Sequence, residues 1–272
     1  MKRIGLLGCG AIGTQIALAI DSGKIPATLT HVYDIEQSHA ENLVSKLKQK
    51  PEVVTNSHLL SSNSVELVVE AASQDAVRND AVSILQNKKD MMIMSAGALL
   101  DESVFEVISD ACRDFGKTVY LPSGAIAGLD ALKAVRDELE SVVLVTTKNP
   151  NSLKNAPFFD SSDIDPEKIS ESTILFDGTA KEAVSLFPKN VNVSALLSLV
   201  GLGGNNTSVR VVADPNTDKN THEINANGKF GNIKITVENV PDSMNPKTSR
   251  LATLSAVELL RQICTKEVQI GT

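Results

Sequence analysis

Two α/β domains are expected here: a doubly wound parallel sheet, then a second α/β domain with a mixed, largely antiparallel sheet. Three observations point that way. Residues 1–122 alternate six times between short β-rich runs and helical periodicity, the pattern of a parallel sheet covered by helices on both faces. A glycine-rich turn joins the first apolar run to the first helix. After Pro122, three strand candidates follow in series with no helix between them, which favours antiparallel pairing in a separate domain.

Ile4-Gly5-Leu6-Leu7 is an apolar run that ends in glycine, and Ile12, Ile16 and Ile20 then recur every fourth residue up to Gly23, as on one helix face. Leu29 to Tyr33 gives a second strand, Ala40, Leu43, Val44 and Leu47 a second helix, and Pro51 to Val54 a short third strand. Leu67 to Ala71 reads as an apolar fourth strand, and Val77, Ala81 and Ile84 as a helix face. Met91 to Met94 is the fifth strand, Asp101 caps a helix carrying Phe105, Ile108 and Cys112, Gly116 ends it, and Val119 to Leu121 is the sixth strand.

Beyond Pro122, Ala127 to Leu139 looks helical, Ser141 to Thr147 is a β-branched strand, and residues 148–170 read as a long surface loop. Thr173 to Phe176 is a strand, and Ala180 to Phe187 and Val193 to Val200 are helices. Thr207 to Ala213, His222 to Ala226 and Ile233 to Glu238 are the serial strands, with Asn227-Gly228 as the turn signal of a hairpin. Ser249 to Cys264 is a final helix. The expected domains are therefore 1–122, 123–242, and a C-terminal segment 243–272 whose helix returns to the first domain.

Composition narrows the function. The chain of 272 residues carries 26 basic and 33 acidic residues and only nine Phe, Tyr and Trp. That balance leaves no cationic stripe for phosphates and few aromatic platforms for bases, so nucleic-acid binding is not expected. No apolar run reaches the roughly 18 residues of a membrane span, and glycines interrupt the apolar residues after Met1-Lys2-Arg3, unlike a signal peptide. Cys9, Cys112 and Cys264 are odd in number and far apart. They read as reduced thiols of a cytoplasmic protein with no metal site.

Gly8-Cys9-Gly10-Ala11-Ile12-Gly13 is G-x-G-x-x-G between a strand and a helix, and Asp34 follows 21 residues after Gly13, at the end of the second strand. In this setting Gly8 serves the tight turn, Gly10 lets a pyrophosphate approach, and Gly13 lets the helix pack on the sheet. The backbone of Ala11 and Ile12 opens the helix toward the phosphates, and Asp34 can bind a ribose 2′-hydroxyl. This is the fingerprint of a Rossmann dinucleotide-binding domain. A carboxylate at position 34 repels a 2′-phosphate, and Ile35 beside it offers no cation, so NAD is expected ahead of NADP.

The chain has four histidines. His39 and His58 sit at polar helix starts and read as solvated, and His31 lies inside a strand of the nucleotide domain, where packing explains it. His222 opens a strand of the second domain after the loop from Asp214 to Asn220. A dehydrogenase must manage the proton leaving an amine or alcohol, and histidine titrates in the right range. His222 is thus the candidate acid–base residue, with an ordinary strand histidine as the alternative. Sugar-type dehydrogenases carry Glu-Lys-Pro after the fifth strand; here Met94-Ser95-Ala96-Gly97 occupies that place, so their lysine mechanism does not transfer.

Ser95-Ala96-Gly97-Ala98, Pro122-Ser123-Gly124-Ala125-Ile126-Ala127-Gly128, Asn190-Val191-Asn192-Val193, His222-Glu223-Ile224 and Asn245-Pro246-Lys247-Thr248-Ser249 follow the glycine motif in that order. With these strings the sequence resembles L-aspartate dehydrogenase of the archaeal and bacterial type, from Lys2 to about Leu260. The resemblance implies NAD(P)-dependent oxidation of L-aspartate to iminoaspartate, which yields oxaloacetate and ammonia or feeds NAD biosynthesis. It implies that His222 is catalytic and that Ala125 and Asn192 contact the cofactor. It also softens the NAD preference, since the family uses both nucleotides. Lys247 and Thr248, before a helix start, are candidates for the substrate carboxylates, with helix capping as the alternative. A homodimer is expected to cover the open sheet of the second domain. Two other functions stay open at this point: dehydrogenation of another small dicarboxylic amino or hydroxy acid, and dinucleotide sensing without catalysis.

Overall fold

The computed structural model describes residues 1–188, 192–242, 248–265 and 268, which form two compact units. One unit comprises Met1–Pro122 with Thr253–Ile270, and the other is built on Ser123–Ala252.

The first unit is built on strands β1 (Lys2–Leu7), β2 (Ala27–Tyr33), β3 (Glu52–Val53), β4 (Leu67–Glu70), β5 (Asp90–Ile93) and β6 (Val119–Tyr120). All pair in parallel, in the order β3-β2-β1-β4-β5-β6. Helices α1 (Ala11–Asp21), α2 (Gln37–Lys46), α3 (Gln74–Gln86) and α4 (Glu102–Phe115) connect them. Leu67, Val68 and Val69 are all fully buried, as expected of a central strand covered on both faces. Each such side chain contributes roughly 1.5–3 kcal/mol of burial. The strand order reverses between β1 and β4, so the carboxyl ends of these strands form the place where open α/β sheets bind ligands.

Local chemistry sets the helix ends. Asp101 accepts hydrogen bonds from the N–H groups of Ser103 and Val104 at the start of α4, and Gly116 closes it with φ +61°. The buried face of α4 is Ile108 and Ala111, while Phe105 is 44% exposed rather than part of the core. The last helix, α9, spans Arg250–Cys264, and its Ala256 and Leu260 join the core formed by Ile4, Leu6, Ile16, Leu29 and Leu67.

The second unit contains α5 (Leu129–Ala134), β7 (Leu139–Lys148), α6 (Pro150–Leu153), β8 (Thr173–Thr179), α7 (Ala180–Leu186), α8 (Asn192–Val200), β9 (Thr207–Ala213), β10 (Asn220–Gly228) and β11 (Gly231–Asn239). Its sheet runs β11-β10-β7-β9-β8. β10 is antiparallel to both β11 and β7, and β8 is antiparallel to β9, but β7 and β9 are parallel. The serial strands β9 and β10 are thus not neighbours; β7 lies between them. Val142, Leu144, Thr146 and Lys148 of β7 alternate with half-buried residues and face inward. α7 and α8 cover that face at β9.

Three sequence expectations change. The helix placed at Ala127 to Leu139 is only the short α5, and β7 already starts at Leu139. The region 148–170 holds three short helical segments, and Phe158 stacks on the fully buried Phe187 with ring centroids 5.2 Å apart. The hairpin turn lies at Lys229-Phe230, between the closing pair Gly228 and Gly231, and Asn227-Gly228 belong to β10. Gly228 serves close packing instead: a Cβ there would overlap the Glu138 carbonyl oxygen.

Candidate active site

The three glycines of the motif do three different jobs. Gly8 has φ +99°, and a Cβ on it would come within 2.7 Å of the Ala71 and Ala72 backbone. A Cβ on Gly13 would overlap the Gly8 carbonyl oxygen. Gly10 has φ −70°, and a Cβ there would meet nothing within 4 Å. Gly8 and Gly13 are therefore required by the fold, whereas Gly10 faces open space. Ala11 and Ile12 begin α1, whose first N–H groups lack intrahelical acceptors. Gly10 at the N-cap offers them no side chain, and the first turn carries no acidic residue. An open approach, N–H donors and the positive end of a helix are what a pyrophosphate needs, so these residues fit a dinucleotide.

The Asp34 carboxylate holds this loop. Its Oδ2 accepts the Cys9 N–H at 2.7 Å and its Oδ1 the Glu36 N–H at 3.0 Å. Each carboxylate oxygen can accept a further bond, which leaves room for ribose hydroxyls. His39 is exposed as expected, yet its Nδ1 lies 3.4 Å from Asp34 Oδ1. Ile35 beside it is 87% exposed. Asp34→Ala should weaken NAD by about 1.5–3 kcal/mol, the scale of hydrogen bonds to a charged group, while NADP loses less because repulsion of its 2′-phosphate also disappears. Titration of both nucleotides checks this, and an unchanged affinity ratio would remove Asp34 from the ribose. The neighbouring Cys9 thiol is pushed up to about 12 by burial and the Asp34 charge, so it is no nucleophile at neutral pH.

Glu70 is a residue that the sequence reading passes over inside an apolar strand. It ends β4 and is fully buried. Its carboxyl accepts the N–H groups of Ala72 (2.7 Å), Met94 (3.1 Å) and Ser95 (3.0 Å) and the Ser95 hydroxyl (2.8 Å). Burial raises its pKa, against the opposing effect of these bonds. Glu70 thereby ties together the loops that follow β4 and β5, at the carboxyl edge of the sheet.

In the second unit a polar cluster occupies one end of the inner sheet face. His222 pairs with Thr146 across β10 and β7, and its Nδ1 lies 3.1 Å from Thr146 Oγ1. His222 is 1% exposed and Lys148 3% exposed. Lys148 stands two residues beyond Thr146, hence on the same face. Asn220 donates to Ser249 Oγ at 3.3 Å, and Asn239 donates to the Ala125 carbonyl at 2.9 Å. The titration expected for His222 near neutrality does not hold. Burial, with the Lys148 charge second, lowers its pKa to about 3, and the ring is neutral at working pH. Lys148 itself is lowered to about 8 by burial.

Between about 3 and 6.5 the unfolded chain binds a proton at His222 that the folded chain does not. Stability from this group is complete above pH 6.5 and is lost as pH falls toward 3, with a slope approaching roughly 1.4 kcal/mol per pH unit. Denaturant unfolding at pH 7, 6 and 5 should show a shallower pH dependence for His222→Asn than for the unmodified chain. Equal slopes would mean that His222 is protonated in the fold.

The remaining predicted residues are placed as follows. Ala125 is buried in a loop where Gly124 and Gly128 have φ +66° and +77°. Asn192 is the first residue of α8 and half-buried. The Thr248 carbonyl accepts the Asp242 N–H at 2.8 Å. Lys247 lies outside the described residues. Among the described residues no group of His, Cys, Asp and Glu is arranged to hold a metal ion, and no helix is long and apolar enough to cross a membrane.

Residues 8–122 match the family described as homoserine dehydrogenase, NAD binding domain, which marks the first unit as a pyridine-nucleotide domain. Residues 130–263 match the family described as aspartate dehydrogenase, C-terminal. The chain is 65% identical over its full length, and the relative's, to an L-aspartate dehydrogenase of Nitrosopumilus maritimus. It is 46% identical to one of Methanocella arvoryzae, again over all of both chains. It also resembles the crystal structure of aspartate dehydrogenase from Thermotoga maritima, with a TM-score of 0.76 and 26% identity over 99% of this chain and 100% of that one. Two matched domains in the right order and full-length identity at this level are decisive: the chain belongs to the L-aspartate dehydrogenase family.

Proposed function

We propose that this chain oxidises L-aspartate to iminoaspartate, with NAD preferred and NADP also accepted. The observation that carries the reading is the pair His222–Thr146, buried beside Lys148 on one sheet face, in a chain whose other unit holds a dinucleotide loop. A sensor would need the loop and Asp34 but has no use for a desolvated histidine beside a desolvated lysine, an arrangement that costs stability.

When bound, the nicotinamide supplies the hydride acceptor. The protein's own part is to bind, orient and move a proton. Gly10, Ala11, Ile12 and Asp34 hold the nucleotide, supported by Gly8 and Gly13, and Ala125 and Asn192 are the proposed cofactor residues of the second unit. The substrate amine must lose its proton before its lone pair can drive imine formation. His222 accepts a proton at Nε2, directly or through water, when Nδ1–H donates to Thr146 Oγ1. The Thr146 hydroxyl can also donate, so this step takes the tautomer that carries its hydrogen on Nδ1. An arriving dicarboxylate raises the basicity of the buried ring. Thr248 and Lys247 flank the cluster in sequence and remain proposed substrate residues.

NAD preference rests on Asp34, and tolerance of NADP on the His39 ring beside it, which offsets the carboxylate when protonated. The outer face of the second sheet carries Val143, Val145 and Thr147 half-exposed, and a homodimer covering it fits that face. Sedimentation at twice the chain mass would support the dimer. We place the enzyme in the cytoplasm, feeding iminoaspartate to NAD biosynthesis. NADH formation with L-aspartate, D-aspartate, L-glutamate and L-malate tests the substrate: turnover is expected on L-aspartate, and preference for another of these acids would replace it.

A further inference from the structure

We propose that Lys148 receives a carboxylate of the substrate and so sets the preference for a dicarboxylic acid. The proposal deepens the function above and rests on its reading of the substrate as a small dicarboxylate.

Lys148 is the last residue of β7 and is 3% exposed. Two residues earlier, Thr146 pairs with His222 and contacts its ring. The pleat brings Lys148 to the same face one step further along, and the His222 ring feels its charge. At that end of the face stand Asn220, which bonds Ser249, and Asn239, which pairs with Asn220 across the hairpin and bonds the Ala125 carbonyl. Further along, the same face is apolar, with Leu144, Val142, Ile224 and Ala226 all buried. The polar end is thus local, and it surrounds the histidine.

Packing alone would be served as well by an apolar side chain of similar volume, because a buried ammonium carries a desolvation cost. That cost lowers Lys148 to about 8 in the unliganded chain. A carboxylate brought to the ammonium reverses the shift and is bound by a charge-assisted hydrogen bond in a desolvated setting. The same contact would place the substrate amine within reach of His222.

The test uses succinate, a four-carbon dicarboxylate without an amine, and butyrate, its monocarboxylate counterpart. Both are titrated into the protein saturated with NADH. In the unmodified chain succinate should bind roughly 10–100-fold more tightly than butyrate, the range of one hydrogen bond to a charged group. Lys148→Met should abolish that preference, Lys148→Gln should do the same with a polar side chain, and Lys148→Arg should retain most of it. NADH affinity should stay unchanged throughout, and a cooperative thermal unfolding transition reports that the second unit of each variant, which carries Lys148, is folded. Equal binding of the two acids by the unmodified chain, or a preference that survives in the Met and Gln variants, would overturn the proposal. Neither acid need be oxidised, so the outcome is independent of turnover. A chain that selects succinate through Lys148 yet makes no NADH from L-aspartate would defeat the proposed function and leave the lysine assignment standing.

Discussion

His222→Ala should lower kcat on L-aspartate by about 10²–10⁴-fold, the usual contribution of a positioned acid–base group, and leave NAD affinity intact. The separation follows from where the residues lie. The glycine loop and Asp34 belong to the first unit, and His222 to the sheet of the second. Because burial keeps the ring neutral down to about 3, the unmodified enzyme should show no limb from free His222 between pH 6 and 8 in its kcat/KM profile. Steady-state kinetics over that range, with NADH titration as the binding control, check both statements. A rise in KM with kcat unchanged would make His222 a residue that holds substrate equally in ground and transition states. Turnover near that of the unmodified chain would remove it from the mechanism.

Gly10→Val should nearly abolish nucleotide binding while the fold survives, and Gly13→Ala should do the reverse damage, to the fold itself. Sequence alone cannot separate the two, since any glycine of a tight turn can be there for its backbone. The geometry does. Gly10 sits at φ −70° with empty space beyond its missing Cβ, so valine is accepted by the chain and excluded only by the ligand. Gly13 abuts the Gly8 carbonyl, so a methyl group there must push α1 from the loop. Calorimetric unfolding and NAD titration of both variants decide the matter. A Gly10→Val chain that binds NAD normally would place the dinucleotide elsewhere.

The nucleotide unit is legible in the sequence because its determinants are local. A strand, three glycines at fixed spacing, a helix period of 3.6 and an acid after the next strand are all written within 34 residues. In the second unit the strands are legible but their pairing is not. The parallel contact of β7 with β9 joins residues more than 60 positions apart, and no turn signal encodes it. Lys148 is missed because the reading ends that strand at Thr147 and opens a polar loop after it. The alternation Val142, Leu144, Thr146, Lys148 would have put it on the buried face. Glu70 is missed for the opposite reason: its apolar neighbours mask a carboxyl whose four donors come from three other residues across two loops. The position of His222 is legible and its protonation is not, since burial is set by strands distant in sequence.

The most direct measurement follows NADH and ammonia together when the protein, NAD and L-aspartate are mixed. Oxidation to an imine that hydrolyses releases one ammonia for each NADH, so equal yields are expected from L-aspartate and neither product from D-aspartate. Tight NAD binding with no NADH from L-aspartate, D-aspartate, L-glutamate or L-malate would contradict the enzyme reading and leave a dinucleotide-binding protein in its place.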